Sequence, residues 1–120
     1  MTRVCFQLQL RPELQDEYLE QHSPVRSEML AEIAASGRRN YSLFLGKGGL
    51  LIGYYETDDD PAAQAYLAAS PIAARWEAEM ARFFIGLGGR ADQAAIGLTE
   101  IFNLHDQRTA HDPLTESTAS

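Results

Sequence analysis

The sequence predicts an α+β fold with the element order βαββαβ, an antiparallel sheet carrying helices on one face. Three observations predict it. Apolar residues alternate in period two at the start of the chain; two β-rich runs joined by a glycine-rich connection occupy its middle; and helix-length apolar stripes follow Ser-Pro pairs in both halves. At 120 residues, one domain can bury roughly 60–70% of its unfolded surface without disulfides or metal.

In the first strand Val4, Phe6, Leu8 and Leu10 alternate with Cys5, Gln7 and Gln9, so one face meets a core and the other something polar. Arg11-Pro12-Glu13 begins a helix: proline at the first position loses no hydrogen bond there, and an acid suits the dipole. This helix is expected to run to His22, and Ser23-Pro24 to cap a second one. Along the second, Val25, Met29, Leu30, Ile33 and Ala34 form a stripe that Gly37 can end. Tyr41 to Leu45 and Leu50 to Glu56, separated by Gly46-Lys47-Gly48-Gly49, read as a hairpin. Those glycines precede a strand instead of opening a helix, so they make a turn and not a phosphate cradle.

Asp60-Pro61 starts a short alanine-rich helix, and Ser70-Pro71 a longer one lined by Ile72, Trp76, Met80, Phe83 and Phe84 and ended by Gly86-Leu87-Gly88-Gly89. Ala94 to Leu104 is the last strand candidate, with Glu100 interrupting its apolar face either as an edge position or as part of a site. The domain is expected to span residues 1–104, with 105–120 a flexible C-terminal tail, since Leu114 is its one bulky aliphatic residue. A sheet with helices on one face leaves the other to solvent or a partner, and the simplest partner is a second copy, a homodimer.

The net charge is −7, with no basic stripe, which argues against nucleic acid. No segment is long and apolar enough for a membrane span, and Met1-Thr2-Arg3 leads straight into a strand pattern. The single cysteine, Cys5, precludes an internal disulfide. These features point to a cytoplasmic protein in a reducing compartment. His105-Asp106 and His111-Asp112 repeat a dipeptide in the tail, where no scaffold would fix a metal.

Tyr18 and His22 stand four residues apart at a helix end, so they share a face and can converge on one ligand. Imidazole both donates and accepts protons near neutral pH, although a helix-terminal histidine also serves simply as a polar cap. Trp76, in an Ile72-Trp76-Met80 stripe, reads first as core, and Tyr41 and Tyr18 share that ambiguity. Taken jointly, one imidazole, two phenols and one indole suit a sugar, whose C–H face packs on rings while its hydroxyls meet polar tips.

From Val4 to Leu104 the chain resembles the L-rhamnose mutarotase family. The resemblance is carried by Glu17-Tyr18-x-x-x-His22 followed by Pro24, by Asn40-Tyr41, by Arg75-Trp76, and by Glu100-x-Phe102-x-Leu104. It implies a ferredoxin-like topology assembled as a dimeric α/β barrel and an isomerase that interconverts the anomers of L-rhamnose or a related deoxy sugar. It further implies His22 as proton donor, with Tyr18, Tyr41 and Trp76 contacting substrate. The family often carries a second tryptophan where this chain has Glu77, which either loosens the sugar preference or supplies a hydrogen-bonding carboxylate.

Mutarotation needs an acid for the ring oxygen, a base for the anomeric hydroxyl, and rotation about C1–C2 of the open aldehyde. It requires no metal and no organic cofactor. His22 suits the acid role, which would slow exchange as pH rises above about 6.5 unless the site raises the imidazole's pKa. The base stays open among Tyr18, a water and a carboxylate such as Glu100. Cofactor-free monooxygenases and non-catalytic ligand-binding proteins of the same barrel type are the alternative reading.

Overall fold

The computed structural model describes residues 1–85 and 95–111. The chain runs β1 (Thr2–Gln9), a 3-10 turn (Pro12–Leu14), α1 (Gln15–Gln21), α2 (Ser27–Ala35), β2 (Arg39–Leu45) and β3 (Leu50–Thr57). It continues through α3 (Asp60–Ala68), α4 (Pro71–Met80), a 3-10 turn (Ala81–Phe83), β4 (Ile96–Leu98) and α5 (Leu104–His111). The sheet order is β2-β3-β1-β4 with every neighbouring pair antiparallel, the split topology in which β1 lies between the two later strands. The expected βαββαβ architecture is therefore observed.

Register separates the two faces. Phe6 opposes Gly53 and Leu8 opposes Leu51 on the helix-covered face; Cys5 opposes Tyr54 and Gln7 opposes Ile52 on the other. The covered face and the helices share one core containing Leu10, Tyr18, Met29, Leu51, Leu67, Trp76, Met80 and Phe83. Burying each such side chain stabilises by about 1.5–3 kcal/mol.

Capping explains where the second-half helices begin. Asp59, one residue before the expected cap, accepts the Ala62 N–H at 3.1 Å. Ser70 accepts the Ala73 N–H at 3.1 Å while its hydroxyl donates to Glu32 on α2, so a single side chain caps α4 and fastens it to its neighbour. Gly37, at φ 96, ends α2 as expected.

Two expectations are corrected. Ser23-Pro24 does not start a helix: α2 begins at Ser27, with Arg26 at its cap position making no side-chain cap bond. A hydroxyl followed by proline serves a turn as readily as a helix start, and here it forms the turn between α1 and α2. The last strand is also shorter than Ala94 to Leu104: among the described residues of that stretch only Ile96–Leu98 pairs, opposite Cys5 to Gln7. Beyond it Ile101 is 90% exposed and Phe102 63%.

The segment expected as a tail opens with the exposed helix α5, whose Asp106 meets Arg3 at 2.6 Å. The Gly86 to Gly89 helix stop and residues 112–120 lie outside the described residues.

Gly53 is dictated by the ring above it. A methyl group there would lie 2.1 Å from Phe6 Cζ, and Phe6 is itself held by Tyr41 and Tyr55, with ring centroids at 6.3 and 6.2 Å. Gly53→Ala is therefore expected to destabilise by about 1–3 kcal/mol through overpacking. Urea unfolding measures this, and an unchanged midpoint would show that the Phe6 ring moves freely.

Candidate active site

The end of α1 builds the central pair. At a helix C-terminus the last carbonyls lack intrahelical partners. Here the chain tightens, so the His22 N–H donates to Leu19 O at 3.1 Å instead of to Tyr18 O. The released Tyr18 carbonyl lies 2.9 Å from His22 Nδ1. Because a carbonyl only accepts, Nδ1 carries the proton and donates it, leaving Nε2 as the nitrogen that a ligand can use.

Rings on both sides fix the imidazole. Tyr18 stacks on His22 with centroids 4.1 Å apart and planes at 29°, and Trp76 meets His22 edge-on at 5.4 Å and 71°. Phe83 and Phe84 press edgewise on Tyr18 at 5.5 and 5.6 Å. Burial lowers the His22 pKa below its ordinary value, with the Tyr18 carbonyl acting weakly the other way. The neutral imidazole is thus the resting form at neutral pH. Burial pushes the Tyr18 phenol far upward, helped by the nearby Tyr41 and Glu77, so this phenol keeps its proton and has it available for a hydrogen bond.

Tyr41 arrives through a β-bulge. Arg39 pairs with Glu56 and Ser42 with Tyr54, which sets Asn40 and Tyr41 together against Tyr55. Asn40 takes φ 50, a conformation asparagine tolerates better than most residues, and its side-chain amide donates to Glu56 at 3.2 Å. The extra residue turns Tyr41 to the covered face, with its ring 5.2 Å from that of Tyr55.

Tyr18, His22, Tyr41, Trp76 and Glu77 all line one cavity of about 540 Å³ between the helices and the sheet, within the roughly 300–1,000 Å³ typical of small-molecule sites. Trp76 is both core and cavity wall: it belongs to the buried cluster and contacts His22. Glu100 lies elsewhere. It accepts two hydrogen bonds from Arg3, at 2.8 and 3.0 Å, and is absent from the cavity lining. Sequence reasoning missed Arg38 and Asn40 as cavity residues; the bulge beside Asn40 was signalled only by an asparagine opening a strand. Among the described residues, no three His, Cys, Asp or Glu side chains gather as metal ligands, and no helix is long and apolar enough to cross a membrane.

Solved structures with related folds include an L-rhamnose mutarotase from Formosa agariphila, with a TM-score of 0.69 and 22% identity over 87% of this chain and 99% of that one. An antibiotic biosynthesis monooxygenase, with a TM-score of 0.56 and 17% identity over 85% and 100% of the two chains, also shares the fold. At such identities these likenesses concern the fold alone. The chain is 35% identical over 77 residues to the L-rhamnose mutarotase of Oceanobacillus iheyensis, covering 63% of this chain and 73% of that one. It is 32% identical to that of Pectobacterium atrosepticum over the same shares. A family profile described as L-rhamnose mutarotase matches residues 3–104, so the chain belongs to the L-rhamnose mutarotase family.

Proposed function

We propose that this protein interconverts the α and β anomers of L-rhamnose by moving a single proton at His22 Nε2. Family membership supplies the reaction, and the Nδ1 contact to Tyr18 O at 2.9 Å carries the mechanism. A neutral imidazole with Nδ1 committed starts as a base. Nε2 takes the proton of the anomeric hydroxyl, the C1–O5 bond breaks with its electron pair going to the ring oxygen, and the imidazolium returns the proton to that oxygen.

Rotation about C1–C2 then presents the other face of the aldehyde. O5 gives its proton to Nε2 and attacks C1, and the former carbonyl oxygen takes the proton back. In the closed ring both oxygens are bonded to C1, so one nitrogen reaches each in turn, and the proton-donor role is the second half of this shuttle. Tyr18, held protonated, donates to whichever oxygen is gaining charge. Tyr41, Trp76 and Glu77 are the remaining substrate-binding residues, with Trp76 as the ring against which the sugar's C–H face packs.

The sheet face away from the helices carries Phe44, Ile52, Ile96 and Leu98 beside Cys5, Gln7 and Tyr54, and Phe44 is 61% exposed in the single chain. An apolar stripe of this kind supports a second copy as its cover. The cytoplasm is the compartment we infer, on the free thiol of Cys5.

His22→Gln should lose about 10²–10⁴-fold of the catalysed exchange while still binding sugar, measured by saturation-transfer NMR on L-rhamnose. A fully active variant would sink the mechanism. The lowered His22 pKa sets the sign of the pH dependence. The required neutral imidazole is fully populated above the ordinary value of about 6.5 and is lost as pH falls through the folded value. Exchange should therefore drop on the acid side and stay level between about pH 7 and 9; a fall on the alkaline side would indicate an imidazolium starting point instead.

Phe44→Asp places a charge on the uncovered sheet face and should convert a dimer to monomers in sedimentation velocity without unfolding them. A wild-type protein that is already monomeric at micromolar concentration would remove the dimer from this reading.

A further inference from the structure

We infer that Arg26 and Glu79 form a clasp that sets the spacing between His22 and Trp76, which makes them positioning residues for the exchange. The inference rests on the mutarotase reading for its reaction and goes beyond it in assigning two residues outside the cavity lining. Helices α2 and α4 pack side by side and are joined at both ends. At one end the Ser70 hydroxyl before α4 donates to Glu32 of α2. At the other, Arg26, in the cap position of α2, donates from Nη1 to Glu79 Oε1 at 3.3 Å and from Nη2 to Oε2 of the same carboxylate. Two nitrogens on two oxygens form a fork that fixes direction as well as distance. Between the two ends, Met29 and Ile33 of α2 and Trp76 and Met80 of α4 line the cavity.

The clasp reaches across to the stretch of chain that carries His22. His22 closes α1, and Ser23, Pro24 and Val25 separate it from Arg26. Glu79 stands three residues after Trp76, on the same side of α4. Each partner in the 5.4 Å contact of imidazole and indole is therefore close in sequence to a clasped residue. The Arg26 guanidinium also lies 6.0 Å from the Trp76 ring centroid, at the outer range of a cation–π contact. Among the described residues, Arg26 to Glu79 is the one hydrogen-bonded link between the 22–26 turn and α4.

Both side chains are well exposed, at 44% and 37%. Exposed ion pairs add little to stability, so the effect of this one falls on geometry. His22 moves the proton and Trp76 carries the C–H face of the sugar, and misplacing reacting groups by about 1 Å can cost on the order of a hundredfold in rate. Cutting the clasp lets the turn drift from α4, so the imidazole moves relative to a sugar still seated on Trp76. The loss then falls on kcat and not on binding.

The test uses Arg26→Glu, Glu79→Arg and the double variant that exchanges the two charges. Each single reversal sets like charges face to face and should lower kcat for L-rhamnose exchange, read by saturation-transfer NMR, about tenfold. Sugar affinity, read from Trp76 fluorescence, should stay within about twofold, and the charge exchange should restore kcat to within about threefold of wild type. Arg26→Gln cuts the clasp without repulsion and should act in the same direction if a reversal fails to fold. A second readout needs no sugar. Trp76 is the only tryptophan, and a protonated imidazole in contact with an indole quenches its fluorescence. On acidification wild type should show a quench that His22→Gln lacks; the single variants should lose most of it, and the double variant should regain it.

Folded single variants with wild-type kcat and quench, or with a lower melting temperature alone, would overturn the proposal. So would a loss that the charge exchange does not restore, because the two charges would then act separately. A wild type that exchanges no anomers would overturn the mutarotase reading, and the quench then decides the clasp by itself: lost in the single variants and regained in the double it stands, unchanged in all three it falls.

Discussion

The hydrogen bond between His22 Nδ1 and the Tyr18 carbonyl is the contact on which the site depends. It exists because α1 tightens in its last turn, sending the His22 N–H to Leu19 O and leaving Tyr18 O without its helical partner. A backbone defect that every helix end must resolve is resolved here by the catalytic candidate itself. One nitrogen is fixed as a donor, so the ring's orientation and the identity of its working nitrogen follow together.

The rest of the fold holds that ring in place and half-buries it. Tyr18 covers one face of the imidazole, and Trp76, on a helix capped and fastened by Ser70, meets it edge-on. The bulge at Asn40 and Tyr41, with the close seating of Phe6 over Gly53, shapes the opposite wall from the sheet. Desolvation by these rings depresses the His22 pKa and raises that of Tyr18. Burial therefore separates the two roles, a neutral imidazole that can start as base and a phenol that stays protonated.

Much of this was legible in the chain. The alternation in β1, the glycine hairpin and the Ser70-Pro71 cap gave the right elements in the right order, and the spacing of Tyr18 and His22 placed both on one helix face. What failed was context. Ser23-Pro24 and Ser70-Pro71 look alike, but only Ser70 reaches an N–H three residues on, because Glu32 on a neighbouring helix fixes its hydroxyl. The alternation through Glu100 and Phe102 is genuine, yet just Ile96–Leu98 finds a partner strand within the described chain, and Glu100 spends its carboxylate on Arg3. Nothing local distinguishes Arg38 from Arg39; strand direction and the position of Tyr55 decide which of the two is buried.

The site works as described if His22 rests neutral, with its proton on Nδ1. Nitrogen-15 NMR of the imidazole side chains across pH tests it directly, with the His22 signals assigned by their loss in His22→Gln, since the chain has three histidines. An Nδ1-protonated neutral tautomer at pH 7 and a titration midpoint below the ordinary value of about 6.5 are expected. A proton on Nε2 of the neutral ring, or a midpoint above that value, would contradict it.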